Sequence, residues 1–344
     1  MAESEAKNSK CRIIVDAMGG DYAPQNAVVG ALEAYNEKHD FELFLVGKKE
    51  EILSVIKSNN LSFDEKYIIH ADEVIEMGDS PTSALKLKPN SSIVKGAQLV
   101  KEGKADAFVS AGNTGAMMSA STLIIGRISG VGRPTIGAEM PNVYGVCYLY
   151  DVGAGKDAKP SHLFEYAVMG TIYAKEMGGV KNPSVGLLSM GEEDGKGNEV
   201  SNDAFKMLKD SKLNFIGNVE GRDIMTKHVD VVVCDGFVGN IILKFGESVP
   251  KLLKHLLTKT AEASFFDKLK VGISKGTLKK SLKSLDYQEH GGVPLLGVNG
   301  ISIIGHGSSS PKAIKNMVLK AREMYHKDLI KKIESSIKQY SQKK

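Results

Sequence analysis

The residues best suited to chemistry in this chain stand in short glycine loops. Lys196 lies between two glycines in the run GEEDGKGNE at 191–199, where small neighbours leave its ammonium open to a phosphate or a developing oxyanion. Gly112, Asn113, Thr114 and Gly115 combine two glycines with an amide and a hydroxyl, directly before helix-forming residues. Glycine lets the backbone turn sharply, and free N–H groups at a helix start favour an anion, so this run reads as a phosphate cradle. Asp16, Gly19, Gly20 and Asp21 form a second such loop, Asp235 and Asn240 bound a third, and Asp151 opens a fourth at DVGAG. His306 and Ser308 stand in GHGSSSP. Carboxylates there can orient donors or accept a proton, and a histidine can act as a general acid or bind phosphate. Taken singly, each loop could equally be an ordinary turn between a strand and a helix.

What joins the loops is their place in the chain. Short apolar runs at 11–15, 41–46, 67–70, 107–111, 183–190, 213–217, 229–234 and 301–304 predict strands. Helical patterns at 26–37, 50–59, 91–101, 116–125, 162–177, 200–209 and from 312 onward alternate with them. Two further strands at 135–140 and 144–150 suit an antiparallel pair. Such alternation predicts an α/β fold with a largely parallel sheet, and VDVVVC at 229–234 reads as a central strand covered on both faces. In a parallel sheet the loops after Asp16, Asn113, Lys196 and Asp235 share one edge, where they can converge on a crevice.

Composition sets the outer limits. With 344 residues, 42% apolar and a formal charge of +4, the chain suits a folded globular protein and gives no argument for nucleic acid. Cys11, Cys147 and Cys234 are too scattered for a disulfide framework or a zinc site, which fits a reducing, cytoplasmic setting. No apolar run is long enough to span a membrane. Residues 1–10 are expected to form a flexible tail, 11–334 a single α/β domain, and 335–344 a frayed, basic end. GAGKDA at 153–158 matches a relaxed dinucleotide fingerprint, but Lys159 and Pro160 separate it from the following helix, so it is read as coincidental.

Within that domain, 245–288 differs. Leu252, Leu253, Leu256 and Leu257 alternate with lysines, and residues 251–283 hold nine lysines against Glu262 and Asp267, a net of +7. This predicts an amphipathic helical hairpin. With exposed Val271, Ile273 and Leu278 it could meet anionic lipid or an acidic protein; it could equally pack at a dimer interface with its lysines merely solvated. Lys86, Lys88 and Lys95 are further candidate contacts for an acidic partner.

The motifs DAMGGD, SAGNTGA, DVGA with KP, GEEDGKGNE, FIGNVEGRD, CDGFVGN, PLLGVNG and HGSS, in this order over nearly the whole chain, resemble the bacterial PlsX-type phosphate acyltransferases. The resemblance implies a Rossmann-like, doubly wound α/β/α sandwich of the isocitrate and isopropylmalate dehydrogenase and phosphotransacetylase type. It implies conversion of acyl-[acyl-carrier-protein] and inorganic phosphate to acyl phosphate and free carrier protein, feeding phospholipid synthesis. Two positions depart from the family: Gly155 replaces an asparagine, and His290 precedes Gly291 where a tyrosine is usual.

For that reaction phosphate is itself the nucleophile, so the protein need only hold it beside the thioester and stabilise the oxyanion. Asn113, Thr114 and their N–H groups, with Gly112, Gly115 and the Gly19 to Asp21 loop, are expected to bind phosphate. Lys196 would neutralise charge and Asn240 would donate to the oxyanion. Asp16, Asp21 and Asp235 would orient donors or take a proton, with Asp151, His306 and Ser308 completing the pocket. No metal or cofactor is expected. The expected partners are acyl carrier protein, a second copy of the chain, and a membrane surface or its glycerol-3-phosphate acyltransferase. The alternatives are a phosphotransacetylase-like enzyme using a small acyl-coenzyme A, a nicotinamide-dependent decarboxylating dehydrogenase, and a membrane-bound scaffold for lipid enzymes.

Overall fold

The computed structural model describes residues 10–281 and 291–341. The expected tail at 1–9, the end of the helical segment at 282–288, the side chain of Leu278, the His290 departure and residues 342–344 lie outside the described residues. The described chain divides into two compact units, one of residues 10–136, 172–179 and 291–341, the other of 137–171 and 180–281.

The first unit runs β1 (Cys11–Asp16), α1 (Gln25–Glu37), β2 (Phe41–Gly47), α2 (Lys49–Ser58), β3 (Ile68–His70), α3 (Pro81–Leu87), α4 (Ser92–Lys101), β4 (Ala107–Ser110) and α5 (Thr114–Ala120). α5 continues as a π turn over Ser121–Ile125, and β5 (Thr135–Asn142) then begins. The second unit continues through β6 (Gly145–Tyr150), α6 (Pro160–Glu176), β7 (Ser184–Leu188), α7 (Glu199–Lys209), β8 (Asn214–Val219), α8 (Asp223–Thr226), β9 (Val231–Val233), α9 (Gly236–Ala263) and α10 (Phe265–Ser281). The chain ends in the first unit with β10 (Val293–Leu296), β11 (Ile301–Ile304), α12 (Pro311–His326) and α13 (Leu329–Ser341).

In the first unit the strand order is β3, β2, β1, β4, β11, β10, with β10 antiparallel and the others parallel. β1 is central because its β-branched run is apolar on both faces: Ile13, Ile14 and Val15 are at most 1% exposed. The chain winds away from β1 on one side through β2 and β3, and on the other into β4. That reversal is the topological switch point, where parallel sheets open a crevice at their carboxyl ends. The second unit pairs β5 with β6 antiparallel, as expected, and then runs β6, β9, β7, β8 in parallel. β9 is fully buried, in keeping with its reading as a covered strand.

Several elements were not foreseen. α3 starts with Pro81 at its first position after Ser80, a start signal hidden in a polar connection. β10 occupies a stretch read only as a glycine-rich lead into β11. The segment expected to fray from 335 is instead the second half of α13, where Leu329, Ile333 and Ile337 recur every four residues and are 0%, 0% and 3% exposed. That period is helical, and burial of the stripe holds the helix in place.

α9 and α10 form the expected hairpin, but their apolar side chains remain uncovered. Phe245, Phe265, Phe266 and Ile273 are each more than 70% exposed, and Leu252 is 58% exposed. Val271 departs from expectation: it is half-buried and lines a groove with Leu257, Lys270, Ser274 and Thr277. No helix among the described residues is long and apolar enough to cross a membrane.

Candidate active site

In the first unit, the carboxyl ends of β1, β4 and β11 are neighbours, so three of the expected loops meet there. Asp16 ends β1 and is 2% exposed. Its carboxylate accepts from Ser110 Oγ at 2.7 Å and from the Met18 N–H at 3.0 Å, and Ser110 Oγ accepts in turn from the Gly112 N–H at 3.0 Å. Asp16 thereby ties the loop after β1 to the loop after β4. The third loop joins through its backbone: the Asp21 N–H donates to the Gly307 carbonyl at 2.7 Å, and the Gly305 N–H to Ser110 O at 2.8 Å.

Burial pushes the Asp16 carboxyl up, against hydrogen bonds from Ser92, Ser110, Met18 and Gly19 that hold it down. A group raised in the folded state contributes stability while protonated and loses it as pH rises through the folded pKa. The stability advantage of the wild type over Asp16→Ser is therefore expected to shrink as pH rises through and above the ordinary carboxylate range. Urea unfolding at several pH values measures this. An advantage that widens with pH would mean that the four donors outweigh burial.

Asn113 takes a different part from the one foreseen. Its Oδ1 accepts the Ala116 N–H at 2.9 Å, capping α5, and its Nδ2 donates to the carbonyls of Glu76, Met77 and Asp79 at 3.0, 3.2 and 3.1 Å. The side chain is 5% exposed and fully engaged in holding the 76–79 segment against the helix start. What remains for an anion is backbone. The N–H groups of Thr114 and Gly115 precede the first intrahelical bond, which Met117 makes to Asn113 O. His306 is exposed; its Nδ1 accepts the Ser308 N–H at 3.2 Å and lies 2.7 Å from Ser308 Oγ.

In the second unit, β6 and β9 are adjacent, and their loops build a second cluster. Asp151, fully buried, accepts the N–H groups of Gly153, Ala154 and Gly155 at 3.3, 3.0 and 2.9 Å. It is the scaffold of its loop, and a buried carboxylate so engaged is a poor direct partner for phosphate. Asp235 caps α9 by accepting the Val238 N–H at 3.0 Å, and Asn240, exposed one turn on, lies beside Gly153. The start of α9 packs so closely on the 151–155 loop that only glycine fits at 236 and 239. A Cβ on Gly236 would lie 2.3 Å from Gly155 O, and one on Gly239 1.8 Å from Asp151 O.

The loop after β7 carries Lys196. Its acids are partly spoken for: Glu192 pairs with Lys227 at 2.8 Å and Asp194 with Lys209 at 3.0 Å. Among the described residues no ion pair holds the exposed Lys196 ammonium, which leaves it open to a ligand anion. Lys88 and Lys95 are not similarly open. Lys88 Nζ is 2.6 Å from Asp79, and Lys95 Nζ donates to His70 O at 2.9 Å. The cysteines are buried, and burial pushes the thiols up, that of Cys147 to about 12 and that of Cys234 well above its ordinary value. Cys234 Sγ points at the Asp151 carbonyl. A thiol so placed makes a poor nucleophile.

A family described as "Fatty acid synthesis protein" matches residues 11–332. A phosphate acyltransferase of Pelotomaculum thermopropionicum is 48% identical over 326 residues, 95% of both chains. One of Halothermothrix orenii is 45% identical over 328 residues, covering 95% of this chain and 98% of that one. The chain belongs to the phosphate acyltransferase family. Among solved structures, a phosphotransacetylase from Streptococcus pyogenes superposes with a TM-score of 0.62 at 17% identity, covering 92% of this chain and 94% of that one. The EutD phosphotransacetylase from Staphylococcus aureus does so with a TM-score of 0.60, also at 17% identity and with the same coverage. These likenesses bear out the expected α/β fold and speak to fold alone.

Within this phosphate acyltransferase family member, the residues that hold these loops together were not singled out from the sequence. Ser110, which bridges Asp16 and Gly112, stood in the quoted SAGNTGA motif without being singled out. Asn218 stood likewise in FIGNVEGRD. For Ser110 the available signal was a small polar residue at the last position of an otherwise apolar strand.

Proposed function

We propose that the chain transfers an acyl group from acyl-[acyl-carrier-protein] to inorganic phosphate, giving acyl phosphate and free carrier protein for phospholipid synthesis. What carries this reading is the near-full-length similarity, at 45–48% identity, to proteins named phosphate acyltransferase. A phosphate oxygen attacks the thioester carbonyl, the C–S bond breaks, and the departing sulfur takes up a proton. Lys196 offsets phosphate charge, Asn240 and the first N–H groups of α9 stabilise the oxyanion, and Asp235 fixes that helix start. The first unit offers an anion site of its own, in the N–H groups of Thr114, Gly115 and the Gly19 to Asp21 loop, with Asp16 and Asn113 fixing its loops. Within that unit His306, with Ser308 on its Nδ1, is the candidate proton-transfer group. The high thiol of Cys234 supports direct attack by phosphate over an acyl-enzyme. Phosphate-dependent release of carrier thiol, retained in Cys234→Ala, is the expected result; a burst of acylated protein would overturn the direct route.

The hairpin is our candidate for both dimer formation and peripheral membrane contact. Phe265, Phe266, Leu269 and Ile273 of α10 are exposed beside Lys268 and Lys270, an apolar face with cations suited to anionic lipid. Flotation with anionic vesicles is expected to fall when Phe266 and Ile273 are both changed to aspartate. Unchanged flotation would leave the hairpin to the second copy alone.

A further inference from the structure

The geometry points to Asn218 as a positioning residue for Lys196, an inference that rests on the role given to Lys196 above. β8 pairs with β7 in parallel, but the register slips by one: Val185 lies opposite Phe215 and Leu187 opposite Asn218, so two steps along β7 match three along β8. The extra residue is taken up at Gly217, whose φ of +94° favours glycine. Side chains alternate along a strand, so one inserted residue reverses the face of everything after it. Without the slip, Asn218 would point away from the face that Phe215 occupies. With it, Asn218 shares that face, where Phe215 meets Phe205 of α7 with ring centroids 5.1 Å apart. This is the side on which the 189–198 loop leads into α7.

There Asn218 Nδ2 donates to the Glu193 carbonyl at 2.9 Å. The same carbonyl accepts the Lys196 N–H at 3.2 Å, closing the turn that presents the ammonium. Ser189 Oγ holds the other side of that residue, donating to Lys196 O at 2.9 Å. Asn218 therefore grips the one backbone oxygen on which the Lys196 turn closes. The amide is retained against stability. Asn218 is 3% exposed, and its Oδ1 is buried with no hydrogen-bond partner among the described residues, a cost that a leucine of similar volume would avoid. A side chain kept only for packing would not carry an orphaned acceptor; one kept for its donor toward a functional loop would.

The test is Asn218→Leu alone and combined with Lys196→Ala, read by phosphate-dependent thiol release and by thermal unfolding. KM for phosphate is expected to rise about five- to tenfold, the factor allowed by one ordinary hydrogen bond, with KM for the acyl donor unmoved and the melting temperature not lowered. In the Lys196→Ala background the same change is expected to have almost no further effect, since both act on one element. Asn218→Ser, too short to reach Glu193, carries the test if the leucine variant does not fold. A fall in melting temperature with unchanged phosphate kinetics would overturn the proposal, as would an effect that persists in full without Lys196. If Lys196→Ala is damaging and Asn218→Leu is silent, only the positioning role fails. If Lys196→Ala is itself silent, the role given to Lys196 fails and this inference with it.

Discussion

Lys196→Ala is expected to lower kcat/KM for phosphate by about 100- to 1,000-fold, the loss seen when one preorganised charge or donor is taken from a developing oxyanion. The expectation rests on charge left over. Glu192 and Asp194 of its own loop are tied to Lys227 and Lys209, and among the described residues no ion pair holds the ammonium. In open water such a cation gains little from phosphate, but the attraction grows several-fold once bound substrate excludes solvent. The fold should not suffer, because the side chain is exposed and no ion pair among the described residues is lost. Lys196→Arg should recover part of the activity, limited by a bulkier head group between Gly195 and Gly197. Phosphate-dependent thiol release measures both. An alanine variant within about threefold of wild type, less than one ordinary hydrogen bond is worth, would transfer the phosphate role to the N–H groups of the Gly112 to Gly115 loop.

Gly239→Ala is expected to be the most damaging small change in the second unit. On helix propensity alone it should stabilise α9, since alanine is favoured over glycine by about 1 kcal/mol in a helix interior. Packing decides otherwise. The added methyl would lie 1.8 Å from the Asp151 carbonyl and 3.0 Å from Cys234 Sγ, and the obstacle is backbone rather than a side chain that can swing away. Moving the helix start or the 151–155 loop should cost about 3 kcal/mol or more, at or beyond the top of the usual range for overpacking. Gly272→Ala in α10 is the control: nothing lies within 4 Å of a Cβ there, so the propensity gain of about 0.5–1 kcal/mol should appear undiminished. Thermal unfolding of the two variants should therefore move in opposite directions. A Gly239→Ala protein as stable as the wild type would show that the loop yields easily and that its close fit matters little.

These two residues mark what a sequence can and cannot reveal here. The loops themselves were legible, because a β-branched run followed by glycines and a helical pattern has few other meanings in an alternating chain. β1, β4, β9 and their loops lie where that pattern put them. The partners were not legible, because they are set by where the backbone brings its N–H and carbonyl groups, not by residue type. Asn113 looked like a phosphate ligand by type and place, yet its amide is consumed by carbonyls 34 to 37 residues earlier. Asp151 looked like a substrate contact and is a loop scaffold. Lys88 and Lys95 looked free and are engaged by Asp79 and by a backbone carbonyl. The end of the terminal helix was underestimated for a different reason: the serines and lysines after Glu334 suggested fraying, although an i, i+4, i+8 stripe of Leu329, Ile333 and Ile337 runs on into that stretch.

One consequence follows from the length of α9. Its first turn is seated on the 151–155 loop through Gly236 and Gly239, and its 28 residues run on, about 42 Å along the axis, into the uncovered apolar side chains of the hairpin. A helix advances about 100° per residue, so one residue added or removed between Asn240 and Phe245 would leave the seat untouched and swing the apolar side chains beyond it through more than a quarter turn. The number of residues in that span therefore sets the angular phase between the seat and the uncovered side chains, as the shank of a key sets the phase between its two ends.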